Sequence, residues 1–423
     1  MPRTSPEPVG ARLGPEYRKL WAATAISTLG DGMYLTGLPL LAAQLTRDPL
    51  EVSAVTFASW LPWLLVALLS GALVDRWDRR RVLWTVDLGR FVLVGALAVV
   101  VLAGWASIWL LAAAGFLLGV GQTLFDGAVL ATIPALVSRD RRRLERANGR
   151  LGAVMTAGQQ LVGPPAGGVG FRLAAWLPFG ADAVSFAASA ALVATLRGRF
   201  AAEQPGARSP RGLRAEIGEG LRFLLAHRVL RALAGMVGAF ALVYMAGMAI
   251  LVLFAQQELG LGSVGFGLLL ASLAVGGLPG NLLAAAVGQR LTAGTLLLGG
   301  TLVTAAAWLA VGLAPTAWLA AAALAMAGLV GSIWDVAQLS LRQTLIPDRL
   351  LGRVISAFRL IGFGPAPLGA LLGGVLGRTL GLRAPFVLGA AVLAVTALLA
   401  LPAVNTRSVE AARVQERAAG GPA

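Results

Sequence analysis

Apolar runs of about 20 residues with few or no charges recur along nearly the whole of this 423-residue chain, each long enough to cross the hydrocarbon core of a bilayer. They are read at 20–44, 52–74, 82–103, 107–137, 148–171, 175–196, 230–256, 264–288, 293–313, 316–341, 353–377 and 384–402. In lipid each backbone N–H and C=O must find its partner within the protein, so runs of this length fold as helices. Composition agrees: 57% of residues are hydrophobic and 13% charged, with a mean hydropathy of +0.77. A soluble domain carries about 25% charged residues. The fold class expected is an all-α membrane protein with twelve transmembrane helices. The polar, Pro-rich start is not expected to be a signal peptide, because a full-length apolar run follows its basic residues with no small-residue cleavage site. There are no cysteines, so neither a disulfide framework nor a thiolate metal site is expected.

The charge balance of +15 suggests nucleic acid until its distribution is read. Of the 35 Lys and Arg residues, 29 fall in the termini, in 76–81, 139–150, 197–231 and 342–353, or at Arg290. Arg47, Arg172, Arg378 and Arg383 fall on the other side, while Arg90 and Arg359 lie within runs. This asymmetry is the positive-inside pattern and places both termini and the central linker in the cytoplasm. The basic excess is topological and attracts anionic lipid; no nucleic-acid partner is expected.

A shift of 209 residues lays Gly71 on Gly280, Arg81 on Arg290, Gly119 on Gly328, and Phe125–Asp126 on Trp334–Asp335. A slightly smaller shift lays GPPAGG (163–168) on GALLGG (369–374) and Arg172 on Arg378. Several coincidences in order, at nearly constant offset, indicate two pseudo-symmetric six-helix bundles. The domains expected are a cytoplasmic tail at 1–17, bundles at 18–196 and 230–402, a cytoplasmic linker at 197–229 and a tail at 403–423. Within the linker, Leu213 to Leu225 is amphipathic enough to lie along a membrane surface; a plain solvated linker is the alternative.

Between Gly71 and Arg81 the chain reads GALVDRWDRRR, which charge confines to a tight hairpin at one membrane face. Through Gly71, Leu73, Asp75, Arg76, Arg79 and Arg80 it resembles the loop between helices 2 and 3 of the major facilitator superfamily; the family's usual glycine is Asp78 here. That resemblance implies a twelve-helix fold with alternating access. It also implies a gating role for the loop, in which Asp75 and the arginines latch the cytoplasmic ends of the halves. In the fifth run, Gly163, Pro164, Gly167 and Gly168 match the G-P-x-x-G-G signature associated with the superfamily's proton-driven exporters. A tight helix crossing is the other reading of the same residues. STLGDGMY, the D-x-x-R of the third run, the FD of the fourth and IPDRLLGRV (346–354) resemble the branch of enterobactin exporters and macrolide efflux pumps.

Asp31, Asp126 and Asp335 stand deep in the first, fourth and tenth runs, and Asp182 near the start of the sixth. A carboxylate at such depth is costly unless protonated, paired or hydrated, and an acid that exchanges protons is what an antiporter requires. Because the first and fourth helices line the cavity in the resembled family, Asp31 and Asp126 are the leading candidates for coupling or substrate contact; a helix–helix hydrogen bond is the alternative for each. Arg342 and Gln343 are expected to serve Asp335, and Asp182 to cap its helix or bind a neighbour. Asp87 and Arg90, three apart on the third run, are expected to pair and to tie that helix to the Asp75 loop. The resemblance implies an arginine in the fourth helix, in an R-x-x-x-G-x-G setting, but this chain has Gly115 there, in GFLLGVG. Arg359 is the substitute that the sequence offers.

Adaptable side chains suited to a large amphipathic substrate are Met33, Tyr34, Trp60, Trp63, Phe125, Tyr244, Met245, Met248 and Trp334. His227, the single histidine, is read as a surface residue. No phosphate-binding loop or nucleophile–base set occurs, so the chain is expected to be no enzyme and to need no cofactor or metal, the proton-motive force supplying the energy. The reading is a monomeric bacterial cytoplasmic-membrane exporter of an amphipathic organic molecule by proton antiport. A facilitator or importer of a small nutrient and a transport-inactive membrane sensor remain open beside it.

Overall fold

The structure, a computed structural model, describes residues 14–65, 77–137, 141–197, 213–347 and 350–411, and all its regular elements there are helices. In the first half these are α1 (Pro15–Leu45), α2 (Pro49–Leu65), α3 (Arg79–Leu102), α4 (Ile108–Val137), α5 (Arg141–Thr156), a π-helical turn (Ala157–Val162), α6 (Gly163–Leu173) and α7 (Leu177–Ala194). Then follow α8 (Leu213–Ala226), α9 (Arg228–Gln257), α10 (Ser263–Arg290), α11 (Ala293–Leu313), α12 (Ala317–Leu345), α13 (Leu351–Phe363), α14 (Pro365–Leu380) and α15 (Ala384–Val404). Among the described residues nine helices are long and apolar enough to cross a membrane. Of the other runs expected to span, α1 carries Glu16, Arg18, Lys19 and Asp31, and the described part of α2 is 17 residues long. Large apolar side chains such as Leu282 and Leu399 stand exposed, with Trp105, Trp109 and Trp318 near helix ends, as expected of a surface that meets lipid and its interface.

The sequence repeat reappears as a repeat of helix pairings. In the first half α1 packs on α6 and α7, α3 on α4 and α7, and α2 on α4; in the second, α9 packs on α14 and α15, α11 on α12 and α15, and α10 on α12. The paired glycines do the same work. A Cβ on Gly119 would meet the Ser59 carbonyl at 2.5 Å across α2 and α4, and one on Gly328 would run into the Leu273 carbonyl across α10 and α12. In lipid, where apolar surface gains little by leaving the solvent, such close backbone approach is a main source of helix association.

Three expectations change. The fifth run does not begin at 148: its basic approach is already helical from Arg141, and the π turn interrupts it before Gly163. Pro164 and Pro165 cannot donate to the preceding turn, and their rings would strike its carbonyls in α geometry. The Gly163 N–H instead reaches back five residues to the Gly158 carbonyl. The eleventh run is divided at Gly364 into α13 and α14. The linker segment from Leu213 is helical as its amphipathic pattern predicts, but it packs on protein. Gly220 lies against the Arg353 backbone, Glu219 pairs with Arg353 at 2.6 Å, and Leu224 is buried.

The halves meet closely at the end of the molecule where α1 ends at Leu45 and α15 begins at Ala384. Gly168 of α6 abuts the backbone of Ser263 and Val264 at the start of α10, and Gly267 abuts the Pro164 carbonyl. Gly374 of α14 abuts Ser53, and a Cβ on Gly377 would lie 3.1 Å from the Cβ of Pro49. Arg378 and Asp48 form an ion pair across the halves at 3.4 Å. Toward the start of α1 and the end of α15, the described parts of α2 and α13 meet where Leu64 comes within 3.6 Å of a Cβ built on Gly364.

Candidate functional site

Three charged residues of the first half, Asp87, Arg90 and Asp126, form one connected group inside the helix bundle. Asp87 and Arg90 face the same side of α3 and are almost wholly buried, 0% and 3% exposed, with Nη1 of Arg90 3.7 Å from Oδ1 of Asp87. Ser189 of α7 donates to Oδ2 of Asp87 at 2.6 Å. Nη2 of Arg90 donates to Oε1 of Gln122 on α4 at 2.9 Å, and Nε2 of Gln122 donates to Oδ1 of Asp126 at 2.9 Å. The guanidinium also lies over two rings, 5.0 Å from the centroid of Phe125 and 5.2 Å from that of Phe186. Such contacts hold a cation in a dry interior without neutralising it. Asp87 and Arg90 do pair, and their described partners stand on α4 and α7; the Asp75 loop, to which they are expected to tie α3, lies outside the described residues. Asp87 lies eight residues into α3, about 12 Å from its start at 1.5 Å per residue.

Asp31 lies half-way along α1, half-buried, within electrostatic reach of Arg90, Asp126 and Asp87. Beside it, Gly32 fits under the π turn: its Cβ would meet the carbonyls of Gln159 at 2.7 Å and Gly158 at 2.8 Å. Gly163 and Gly167 press on α1 at Gly32 and Met33, and Gly168 on α10, so the motif Gly163, Pro164, Gly167 and Gly168 fixes Asp31's helix to its neighbours. Asp182 is 1% exposed, facing α1 at Gly30, and accepts from Ser185 at 3.2 Å; it binds a neighbour and does not cap α7. Tyr34 is buried edge-on against Phe179, and among the described residues its hydroxyl has no hydrogen-bond partner. Trp60 and Trp63 are half-buried and lie with their centroids 6.2 Å apart.

In the second half Asp335 is exposed on α12, with Gln338 one turn on and Arg342 within electrostatic reach. Arg342 itself lies 4.8 Å from the centroid of the Phe358 ring. Trp334 is committed to packing: its indole N–H donates to the Leu297 carbonyl at 3.1 Å and its ring stacks on Phe240, which stacks on Tyr244. From Tyr244 the row continues through Trp308 and Phe386 to Phe254, under Arg383. Met245 is buried, Met33 and Met248 half-buried. The side chain of Arg359 lies outside the described residues.

Of the loop motif, Gly71, Asp75 and Arg76 lie outside the described residues. Arg80 donates to the Ala194 carbonyl at the end of α7. Asp78, where the family has glycine, caps α3 by accepting from the Arg81 N–H at 3.0 Å. His227 caps α9 in the same way, accepting from the Leu230 N–H at 3.3 Å. Among the described residues no group of three or more His, Asp or Glu is placed to hold a metal ion.

The profile of the transmembrane secretion effector family matches residues 13–419. The chain belongs to this family of major facilitator superfamily transporters. It is a transporter, not an enzyme. It is 31% identical to the multidrug efflux pump Tap of Mycobacterium tuberculosis, over 93% of this chain and 94% of the relative. Against Tap of Mycolicibacterium fortuitum the identity is 29%, over 88% and 91%. Its fold is that of a bacterial homologue of the iron transporter ferroportin in an inward-facing state (TM-score 0.71, 18% identity, 93% of this chain and 99% of that one). It is also that of the nucleoside transporter NupG (TM-score 0.69, 12% identity, 92% and 99%). This major facilitator is thus a multi-pass membrane protein of a bacterial efflux family, with a buried arginine–carboxylate group in its first half.

Proposed function

We propose that the chain exports an amphipathic organic molecule by proton antiport, working as a monomer of twelve spans in two six-helix halves. Both termini then face the cytoplasm of a bacterial cell, and the arrangement described is inward-facing, closed at the outer end by the glycine contacts of α6 with α10 and α2 with α14. Substrate enters between the halves from the cytoplasm, and rocking of the halves exposes it to the outside. The carrying observation is the chain of contacts Asp87–Arg90–Gln122–Asp126, with Asp31 in electrostatic reach. It provides carboxyl groups that can exchange a proton without stranding a bare charge in the bundle. The likeness to Tap supports the direction of transport.

The test is efflux from cells lacking their own pumps, loaded with ethidium, erythromycin or ferric enterobactin. Export of at least one should collapse on adding a protonophore and fall by about tenfold or more in Asp31→Asn or Asp126→Asn, the scale of a coupling between sites. Efflux indifferent to the protonophore and to both substitutions would replace antiport by facilitated diffusion.

A further inference from the structure

We propose that Arg90 is a movable counter-ion shared between Asp87 and Asp126, with Gln122 as the link between them; its consequence for transport rests on the antiport reading above. Three features of the geometry carry this. First, the arginine is not spent on either acid. Its distance to Asp87 is 3.7 Å, its bond to Asp126 runs through Gln122, and among the described residues its Nε and Nη1 and Oδ1 of Asp87 have no hydrogen-bond partner. A buried ion pair at rest closes to a short, fully bonded contact, because unpaired buried polar atoms are costly. Second, the rings of Phe125 and Phe186 at 5.0 and 5.2 Å give the guanidinium a surface along which to shift while it remains stabilised.

Third, helix α4 is shaped to receive this arginine from α3 and to exclude one of its own. At Gly115 an added Cβ would collide with Ser59 of α2, so no long side chain fits where the family's fourth-helix arginine would stand. Two turns on, Gly121 opens on Arg90: a Cβ there would sit 2.9 Å from Nε and 3.4 Å from Cγ. The charge thus reaches the fourth helix from the third.

When Asp126 is ionised it holds Gln122 and, through it, Arg90; when Asp126 takes a proton that hold weakens and Arg90 settles on Asp87, itself anchored by Ser189. The proton is stored as the Asp126 O–H bond and no other bond changes order. Asp31 on α1 and Asp182 on α7 also lie in electrostatic reach of Arg90, so the four acids compete for one guanidinium. Gln122 and Arg90 are positioning residues in this scheme.

The experiment is an infrared titration of the carboxyl C=O band of the full-length protein in lipid, without substrate, the Asp126 contribution being the part lost in Asp126→Asn. Two variants leave every charge in place. Gln122→Leu cuts the link, and Gly121→Ala presses on Arg90, whose flexible side chain can yield without disturbing the backbone. Each should let Asp126 take up its proton at about tenfold lower proton concentration than wild type, one unit of pH. Ser189→Ala, acting from the Asp87 side, should shift it in the opposite sense. If Asp126 titrates as in wild type in both Gln122→Leu and Gly121→Ala, Arg90 is a fixed structural charge and the proposal fails. If the shifts appear while efflux ignores the protonophore, charge sharing stands and antiport falls.

Discussion

Trp308 is 1% exposed and touches Tyr244 edge-on and Phe386 nearly face-on, while Gly247 lies so close beneath its ring that no Cβ fits. Truncating it removes a large volume that a glycine-lined site cannot refill, so Trp308→Ala should destabilise the protein by about 3–5 kcal/mol. Trp318→Ala, at an exposed position, should change stability by less than about 0.5 kcal/mol. Thermal unfolding of both variants in detergent checks the contrast, and equal losses would mean that the ring row is not a packed core. At this scale the sequence is readable where a residue contradicts its surroundings. Asp31, Asp126 and Asp335 stand out because a carboxyl within an apolar run is costly unless protonated, paired or hydrated. The partners of such residues are less readable. That Arg90 meets Gln122 while Asp87 meets Ser189 depends on which faces of α4 and α7 turn toward α3. Trp334, read as an adaptable side chain suited to an amphipathic substrate, is held in the packing by a buried hydrogen bond to Leu297.

Among the elements, the segment from Arg141 to Leu173 shows local chemistry reaching a distant site. Two consecutive prolines remove two donors, the helix widens into a π turn, and the displaced carbonyls of Gly158 and Gln159 come to rest on Gly32, next to Asp31. Replacing both prolines (Pro164→Ala with Pro165→Ala) restores the donors, so the turn should close to α geometry and lose one residue of register on its N-terminal side. Because the chain has no cysteine, the change can be read by a thiol reagent on Gln159→Cys, whose labelling rate should change several-fold between the two backgrounds. Efflux should fall with it. Equal labelling in both would show that tertiary packing, not proline, sets the turn. The π form of the turn was not legible from GPP alone, because it depends on Gly32 leaving room across the interface. Likewise the helix at Leu213–Ala226 follows from its apolar spacing, whereas its seat on Arg353 follows from Gly220, which carries no such signal.

For the whole molecule, the repeated order of glycines predicted two related halves, and the same helix pairings recur among α1–α7 and among α9–α15. Which end is closed could not be read, since a sequence compatible with alternating access must fit both states. The closed end rests on backbone proximity more than on charge. The Arg378–Asp48 pair is partly solvated, with Arg378 57% exposed, and such pairs contribute about 0–1 kcal/mol. Asp48→Asn should therefore shift the balance of states by less than about fivefold. A covalent tie at the same place should stop the cycle. A Cβ on Gly377 lies 3.1 Å from the Cβ of Pro49, close to the separation of about 3.5–4.5 Å that a disulfide requires. Pro49→Cys with Gly377→Cys, in a chain otherwise free of cysteine, should cross-link on mild oxidation and lose transport, then regain it on reduction, while each single variant stays active. Transport that continues through the oxidised form would mean that substrate does not leave between α2 and α14, and the path across the membrane would have to be sought elsewhere in the bundle.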